Sequence, residues 1–241
     1  MIAILDSGID LTHPDLAANL YVNAGEIPDN GVDDDGNGFI DDVHGWDFAN
    51  EDNDPQDDNG HGTFVAGIAG AVANNGVGIA GVAWRVSLLP LKFLDDQGGG
   101  TTANAIRALD YAITMGVGIT NNSWGGGPYS QALCDAITVA HQAGVAFVAS
   151  AGGSSRDLDV TPVYPVCYDV PNVVPVAATD ENDLLSSLSD YGDETVDLAA
   201  PGVSILTTQP GGEPPGQPHR EAGLPVRPRA DGAARRLRPP R

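Results

Sequence analysis

Short apolar runs alternate with longer amphipathic stretches along most of this chain. The runs are rich in Val, Ile and Leu and predict six strands, at residues 2–5, 86–94, 117–121, 145–150, 173–178 and 203–207. Three stretches have helical spacing instead, at residues 62–73, 101–115 and 129–143. Thr101 or Thr102 is suited to cap the second helix, whose apolar face comprises Ile106, Leu109, Ala112 and Ile113.

This order of elements predicts an α/β domain. Strands that are separated by helices and lack polar alternation form a mostly parallel sheet that is covered on both faces. Such sheets place their functional sites at the carboxyl ends of the strands. Asp6, Ser123 and Gly152 all lie at predicted strand ends. Three segments that are distant in sequence are therefore expected to converge on one cleft.

The length and charge of the chain limit the kinds of partner that it can bind. The 241 residues suffice for one large domain, and no apolar run approaches the roughly 18 residues of a membrane span. The formal net charge is −22, with 33 acidic and 11 basic residues. Nucleic acid and anionic membranes are excluded as partners, because binding them requires clustered Lys and Arg. The clustered acids favour a solvated surface or bound cations instead.

Residues 209–241 differ from the rest of the chain. They contain eight of the 18 prolines and seven of the basic residues, but no aromatic residue. Proline interrupts helices and sheets, and the arginines repel one another, so we expect a disordered tail after a domain at residues 1–208. A basic arm that binds an acidic partner is the alternative.

Two short motifs carry the candidate chemistry. Asp6-Ser7-Gly8 ends the first apolar run, and His61-Gly62-Thr63 opens the first helix. A carboxylate that orients an imidazole supplies two thirds of a nucleophilic hydrolase, in which the imidazole removes the proton of the nucleophile. Either motif alone is a common turn or helix start. Together and in this order they indicate hydrolytic chemistry.

The sequence around these motifs resembles the subtilisin-like serine proteases, or subtilases. Matching segments occur at residues 4–10, 13–16, 59–63, 122–126, 151–152 and 200–202, so the resemblance covers about residues 2–210. It implies an α/β, three-layer subtilisin-like fold of the thermitase type, with a mostly parallel sheet flanked by helices and the C-terminal part missing. It also implies a serine endopeptidase in which Asp6 is the triad aspartate and His61 is the general base.

The same resemblance implies where a substrate lies. An extended peptide or protein segment would pair with the edge formed by Ser123, Trp124, Gly125 and Gly126, close to Gly152 and Gly153. Pairing through the backbone suits a protease of broad specificity, because backbone hydrogen bonds hold many sequences alike.

Two departures from the subtilase pattern affect the chemistry. Subtilases carry an asparagine that donates to the oxyanion where this chain has Gly153, and loss of that donor in subtilisin lowers kcat roughly 10²–10³-fold. The nucleophile motif Gly-Thr-Ser-Met-Ala is absent, and no serine follows Ser204. Loss of the nucleophile in subtilisin costs on the order of 10⁶ in kcat. We therefore expect no peptidase activity from this polypeptide.

A shift of reading frame is one explanation for the missing motif. Residues 231–237 can be encoded so that removal of one base gives Met-Ala-Pro-His-Val-Ala, which resembles the segment after the subtilase nucleophile. The residues before them do not restore Gly-Thr-Ser. The coding DNA across codons 205–241 decides between a shifted frame and a genuine tail.

An acidic loop has the spacing of a calcium site. Oxygen ligands fall at its first, third, fifth and ninth positions, with glycine at the sixth: Asp33, Asp35, Asn37 and Asp41, then Gly38. The twelfth position is His44 rather than glutamate. A second acidic cluster precedes His61 and comprises Asp47, Asp52, Asp54 and Asp57. The alternative for both is a solvated acidic loop.

The subtilase resemblance implies a further structural calcium site at Asp15 and Asn75, for which the alternative is a plain Asn-Gly turn. No organic cofactor is expected. Zinc is not supported, because five scattered histidines and two distant cysteines have no ligand spacing. Cys134 and Cys167 fit either a disulfide or two buried thiols.

Three functional classes follow, in descending order of support. The first is a subtilase domain that lacks its nucleophile, and the second is a non-catalytic pseudoprotease that binds peptide or calcium. The third, an acidic surface or adhesion protein, does not explain Asp6 together with His61. The resemblance implies an extracellular monomer, although Met1 runs directly into the first predicted strand, so no signal peptide is expected here.

Overall fold

The computed structural model describes residues 1–212 and two short segments, 219–222 and 235–236. The strands are β1 (Ile2–Asp6), β2 (Trp46–Asp47), β3 (Leu88–Lys92), β4 (Ile119–Asn122), β5 (Ala146–Ser150), β6 (Val173–Thr179), β7 (Leu198–Pro201), β8 (Val203–Thr207), β9 (His219–Ala222) and β10 (Arg235–Arg236). The main sheet has the order β10-β7-β6-β5-β4-β1-β3-β2 and is parallel except between β10 and β7. Strands β8 and β9 form a separate antiparallel pair.

Three α-helices occur in the described part of the chain: α1 (His61–Gly70), α2 (Thr102–Thr114) and α3 (Gln131–Gln142). A 3-10 turn lies at Ala17–Asn19. The side chains of Thr101 and Ser130 accept backbone hydrogen bonds at the starts of α2 and α3, which are the caps expected of such residues. Thr101 is thus the one of the two predicted candidates that caps α2.

The helices lie on opposite faces of the sheet. Side chains alternate between the faces along a strand, and those of β1 divide accordingly. Ala3 and Leu5 belong to a buried cluster with α2 and α3, whereas Ile4 packs in a second cluster with Val65 and Ala66 of α1. The predicted α/β fold with a mostly parallel sheet flanked by helices is therefore confirmed.

The α1 side of the sheet is less covered at strands β5 and β6 than the opposite side. Phe147 and Val173 are buried against the cluster that contains α2 and α3, while Val148, Val174 and Val176 on the other face are only half-buried. Strands of a parallel sheet are ordinarily buried on both faces. This part of the sheet thus presents more apolar surface to solvent than is usual.

Five of the six predicted strands occur in the main sheet, as β1 and β3 to β6. The sixth forms at the predicted residues 203–207 but pairs with β9 outside the main sheet. The pattern missed β2 and β7, because the first has only two residues and the second is a four-residue run that ends in Pro201. It also missed β9 and β10, which lie within the tail that was expected to be disordered. Helix α1 ends at Gly70, before the predicted residue 73, since Ala71 is extended.

The expected disorder of residues 209–241 falls largely outside the described residues. Of the two possibilities for the cysteines, the structure has free thiols, since Cys134 and Cys167 are half-buried and unpaired. None of the helices in the described part of the chain has the length and hydrophobicity to cross a bilayer.

Two aliphatic side chains on α3 test how much packing beneath this helix contributes to the stability of the fold. Ile137 is fully buried, whereas Val139 is 48% exposed. We expect Ile137→Ala to lower the free energy of unfolding by about 2–5 kcal/mol through the cavity it leaves. Val139→Ala is the matched control and should change it by less than about 0.5 kcal/mol. Equal losses in urea denaturation would contradict the packing described for α3.

Candidate active site

The predicted carboxylate and imidazole meet at the end of β1. Nδ1 of His61 lies 2.7 Å from Oδ1 of Asp6, although the two residues are 55 positions apart. The same carboxylate oxygen accepts the N–H of Ser7 at 2.8 Å, which fixes its orientation. Asp6 is fully buried and the His61 side chain is 28% exposed. A buried carboxylate can thus orient an imidazole that reaches the surface and stabilise its charged form.

Two glycines allow this contact. A Cβ on Gly62 would lie 2.0 Å from the carbonyl oxygen of Gly8, so the start of α1 touches the turn after β1 backbone to backbone. Gly8 itself has a φ of +108°, and a Cβ there would lie 2.5 Å from the Pro55 carbonyl oxygen. Side chains at these positions would separate Asp6 from His61. The glycines of the two motifs are therefore part of the geometry of the site.

The backbone N–H groups of the first three residues of α1 all donate to side chains. Groups at this end of a helix lack partners within the helix. Asn59 accepts from His61, Ser7 accepts from Gly62, and Asp57 accepts from Thr63. Asp57 also accepts from the Ser7 hydroxyl at 2.9 Å. Its negative charge at the helix N-terminus is electrostatically favourable. Asp57 thus links the Asp6 turn to the His61 helix.

A buried lysine ties a third segment to the same place. Nζ of Lys92, at the end of β3, donates to the carbonyl oxygens of Ser7 and Leu94 and to Oδ1 of Asp58 at 2.6 Å. All three donors of the ammonium group are therefore satisfied, as burial of a charge requires. This contact ties the Asp6-Ser7 turn to the end of β3. Neither Lys92 nor Asp58 was predicted, because nothing in the local sequence indicates that they pair.

The predicted peptide-binding edge continues from β4 past the carboxyl end of the sheet. Gly126 donates its N–H to the Tyr164 carbonyl at 3.1 Å, so the outer part of this segment is already paired. The backbone of Gly125 makes no hydrogen bond to any residue in the described ranges. The Trp124 ring packs against Phe93 at 4.9 Å between centroids, which holds the edge in place. Gly125 therefore presents the free backbone groups that pairing with a peptide requires.

Two pockets flank this edge. The larger, about 630 Å³, extends from His61 past Phe93 to Leu133. The smaller, about 280 Å³, lies between Ser123–Gly126 and Ser150–Gly153. The structure thus brings together all of the residues predicted to act in catalysis or to contact a peptide. A Cβ on Gly153 would meet nothing within 4 Å, so space for a longer side chain exists there.

The serines near the cleft have other partners. Ser7 binds Asp57 and α1, and Ser123 accepts a hydrogen bond from the Asn121 side chain at 3.0 Å. Ser204 lies within β8, as expected from the sequence.

The four loop residues predicted to bind calcium do not converge on one point. Asp33 accepts three N–H groups of its own loop, and Asp41 accepts two, from Asn30 and Gly31. Asn37 donates to Asp35 and uses its carbonyl oxygen to accept from Phe39. The carboxylates of this loop thus bind its own backbone.

A different acidic group forms around Asp35. One oxygen each from Glu26, Asp35 and Asp42 lies within 4.8 Å of the others, and Glu26 and Asp42 are buried. It is the one group of this kind found among the described residues. Like charges this close repel one another, and a cation would relieve that repulsion. The sequence pattern did not identify Glu26 or Asp42, because they are outside the positions that the loop spacing selects.

The other two predicted cation positions differ from each other. Asp15 is fully buried and accepts the Asn75 side-chain amide at 2.7 Å and the Ile79 N–H at 2.8 Å, so this predicted pair is brought together. In the cluster before His61, Asp47 and Asp52 pair through their backbones, but among the described residues no three of its carboxylates lie close enough to hold one ion. Asp47 accepts from Ala49 and Asn50, and burial raises its pKa. Asp57 binds Ser7 and the start of α1, as described above.

The contact between the two motif glycines gives a test with a matched control. We expect Gly62→Ala to lower the free energy of unfolding by about 1–3 kcal/mol, because the added methyl group collides with the Gly8 carbonyl. Alanine is otherwise the better helix residue, so propensity alone predicts the opposite sign. Gly118→Ala, at a position with open space around it, should change stability little. Urea denaturation of both variants makes the comparison, and a stabilised Gly62→Ala would contradict the described contact.

Comparison with known proteins identifies the family. The model of the subtilase family matches residues 1–221 of this chain. Thermitase from Thermoactinomyces vulgaris is 39% identical over 87% of this chain and 65% of its own length. A thermophilic serine proteinase from Bacillus sp. (strain AK1) is 37% identical over 86% of this chain and 45% of its own. A solved structure of a cold adapted subtilisin-like serine proteinase has a TM-score of 0.71 and 31% identity, covering 92% of this chain and 68% of that one.

This chain thus spans about two thirds of thermitase and less than half of the Bacillus proteinase. The match includes the Asp6 and His61 motifs, the peptide edge and the strands that position them. The resemblance seen in the sequence is confirmed, and the chain belongs to the subtilase family.

Proposed function

We propose that this polypeptide is a serine endopeptidase domain of the subtilase type that lacks its nucleophile serine and is therefore inactive. The observation that carries the proposal is an assembled Asp6–His61 pair beside a peptide-binding edge, in a chain whose sequence has no nucleophile motif. Membership of the family supports acyl transfer through a serine as the chemistry of the lineage. The absence of that serine supports inactivity for this chain.

The proposed roles of the site residues follow from the contacts. Asp6 would hold His61 through Nδ1 and stabilise the imidazolium that forms when Nε2 takes a proton from a nucleophile. The sequence has no serine in the family's nucleophile motif to supply that proton. Gly153 also lacks the side-chain amide that would stabilise the oxyanion. The pair can therefore orient and accept a proton, but the acyl-enzyme cannot form.

Peptide binding without cleavage is supported by the unpaired backbone of Gly125 and by the pockets on either side of it. An extended peptide would add a strand beside Ser123–Gly126, while its side chains alternate between solvent and the two pockets. The non-catalytic pseudoprotease is the second candidate for this reason. The two candidates differ in why the nucleophile is missing. If a shifted reading frame removed it, the pseudoprotease loses its main support.

We also propose structural calcium. Glu26, Asp35 and Asp42 supply hard oxygen ligands that suit this cation, and their mutual repulsion supports a bound cation. A second site at Asp15 and Asn75 is supported by the burial of the Asp15 carboxylate. The Asn75 side chain donates to it in the described orientation, and rotation of the amide would offer its oxygen instead. No organic cofactor is proposed.

Two expectations about the surroundings of the protein stay predictions. They are an extracellular location and a monomeric state.

Peptidase activity tests the proposed function directly. We expect no turnover of a fluorogenic peptide by the purified chain, because the loss of a nucleophile costs on the order of 10⁶ in kcat. A His61→Ala variant controls for contaminating proteases. Turnover that His61→Ala abolishes would overturn the proposed inactivity, whereas turnover equal in both proteins would indicate contamination.

Calcium removal tests the proposed cation sites. Calcium at 100 times its Kd should stabilise the fold by about 2.7 kcal/mol, so the melting temperature should fall in EDTA. Asp35→Asn should reduce this difference through the Glu26 group, and Asn75→Ala should reduce it through the second site. Asp135→Asn, an exposed residue on α3, changes the net charge equally and should leave the difference intact. A melting temperature that is the same in calcium and in EDTA would contradict both sites.

A further inference from the structure

The smaller pocket beside the peptide edge has an unusual set of charged groups. Apolar side chains of Val163 and Val166 form part of its wall, and Gly152 and Gly153 form its upper rim. Two ionisable residues also line it, Arg156 and Asp190. The chemistry of the pocket therefore depends on which of these two charges is available to a bound side chain.

The Asp190 carboxylate is occupied by the loop that it supports. It is buried, and its Oδ1 accepts the N–H groups of Ser154 at 2.7 Å and Arg156 at 2.9 Å. Its Oδ2 lies so close to Gly152 that a Cβ there would approach it to 2.4 Å. Hydrogen bonds from two N–H groups stabilise the carboxylate in place. Asp190 thus shapes the rim of the pocket and is poorly placed to bind a cation from a peptide.

The Arg156 guanidinium, unlike the Asp190 carboxylate, has few described partners within the protein. The side chain is exposed, and its one described hydrogen bond runs from Nη2 to the Ser154 hydroxyl at 3.4 Å. No carboxylate pairs with it among the described residues. Lys92 and Arg107, by contrast, form ion pairs with Asp58 and Glu51. Arg156 therefore keeps its charge and its donors available at the mouth of the pocket.

The charge of the whole molecule makes this placement informative. Residues 1–208 contain only four basic residues against 30 acidic ones. An unpaired arginine is therefore rare on this surface, and one of them lies at a pocket beside the peptide edge. Long-range repulsion acts on any acidic peptide and is screened beyond about 8 Å at physiological salt. A guanidinium in contact acts only on the side chain that enters the pocket.

We propose that this pocket selects an acidic side chain, Asp or Glu, of a peptide bound along Ser123–Gly126, and that Arg156 is the residue that determines this preference. The proposal rests on the peptide binding proposed above and names the substrate class of the same cleft. A guanidinium matches a carboxylate with two parallel N–H donors, which gives both strength and geometric selectivity. The apolar wall would pack against the methylene groups of the side chain.

Binding of labelled peptides, measured by fluorescence anisotropy, tests this preference. Three capped peptides differ at one position only, with Glu, Gln or Lys. We expect the wild-type chain to bind the Glu peptide about tenfold more tightly than its Gln isostere, as for one charge-assisted contact. The Lys peptide should bind no better than the Gln peptide.

Two variants with the same change in net charge distinguish the effect of the pocket from that of the electrostatic field of the whole protein. Arg156→Gln should abolish the preference for Glu, whereas Arg85→Gln, at an exposed residue outside both pockets, should retain it. The Asp190 bond to residue 156 uses the backbone N–H, so Arg156→Gln leaves it in place. Arg156→Lys keeps the charge without the two-pronged geometry and should show a reduced preference, which provides a second test.

The outcomes distinguish this inference from the proposed function. Equal binding of all three peptides by the wild-type chain would overturn the role of Arg156 and leave peptide binding intact. Tighter binding of the Lys peptide would assign the pocket to Asp190 and also overturn it. Failure of even the uncharged Gln peptide to bind would overturn the peptide-binding function and, with it, this inference.

Discussion

The contact between Asp6 and His61 is the constraint on which the rest of the site depends. It requires the end of β1 and the start of α1 to meet backbone to backbone, and Gly8 and Gly62 permit this. Burying that junction would leave several N–H groups without partners, which is costly. Ser7, Asp57 and Asn59 supply the missing acceptors. The residues around the two motifs are thus explained by one requirement, which is to bring a buried carboxylate to an imidazole.

The sheet extends this geometry to the cleft proposed to bind a peptide. Parallel strands end at one edge, so β1, β4 and β5 deliver Asp6, the Ser123–Gly126 segment and the Gly152 turn to the same place. The family membership and this arrangement both support the proposal that the cleft holds an extended peptide. The chain nevertheless departs from its family at the two positions that would carry charge in the reaction, the nucleophile and the oxyanion donor at Gly153. The proposed function therefore keeps the geometry for peptide binding and lacks the groups for catalysis.

The sequence predicted most of the secondary structure because the signals were local. Apolar runs identified β1 and β3 to β6, and helical spacing with Thr101 as a cap identified α2. Strands β2, β7, β9 and β10 were missed because strands of two to four residues are too short to show a pattern. The spacing of the acidic loop selected Asp33, Asn37 and Asp41, yet the folded loop uses Asp33 and Asp41 to bind its own backbone. Spacing reports which ligands are near in sequence and is silent on where their oxygens point.

The sequence by itself determined the family, the pair Asp6 and His61, the peptide edge and the lack of a nucleophile motif, since each is written in a contiguous run of residues. Only the tertiary structure decided how these parts are supported and charged. The link through Asp57, the ion pair of Lys92 with Asp58, and the grouping of Glu26 with Asp35 and Asp42 join groups whose partners are set by packing. The same holds for Arg156 and Asp190, because burial and hydrogen bonding, which no local pattern encodes, determine which of two charges faces a ligand.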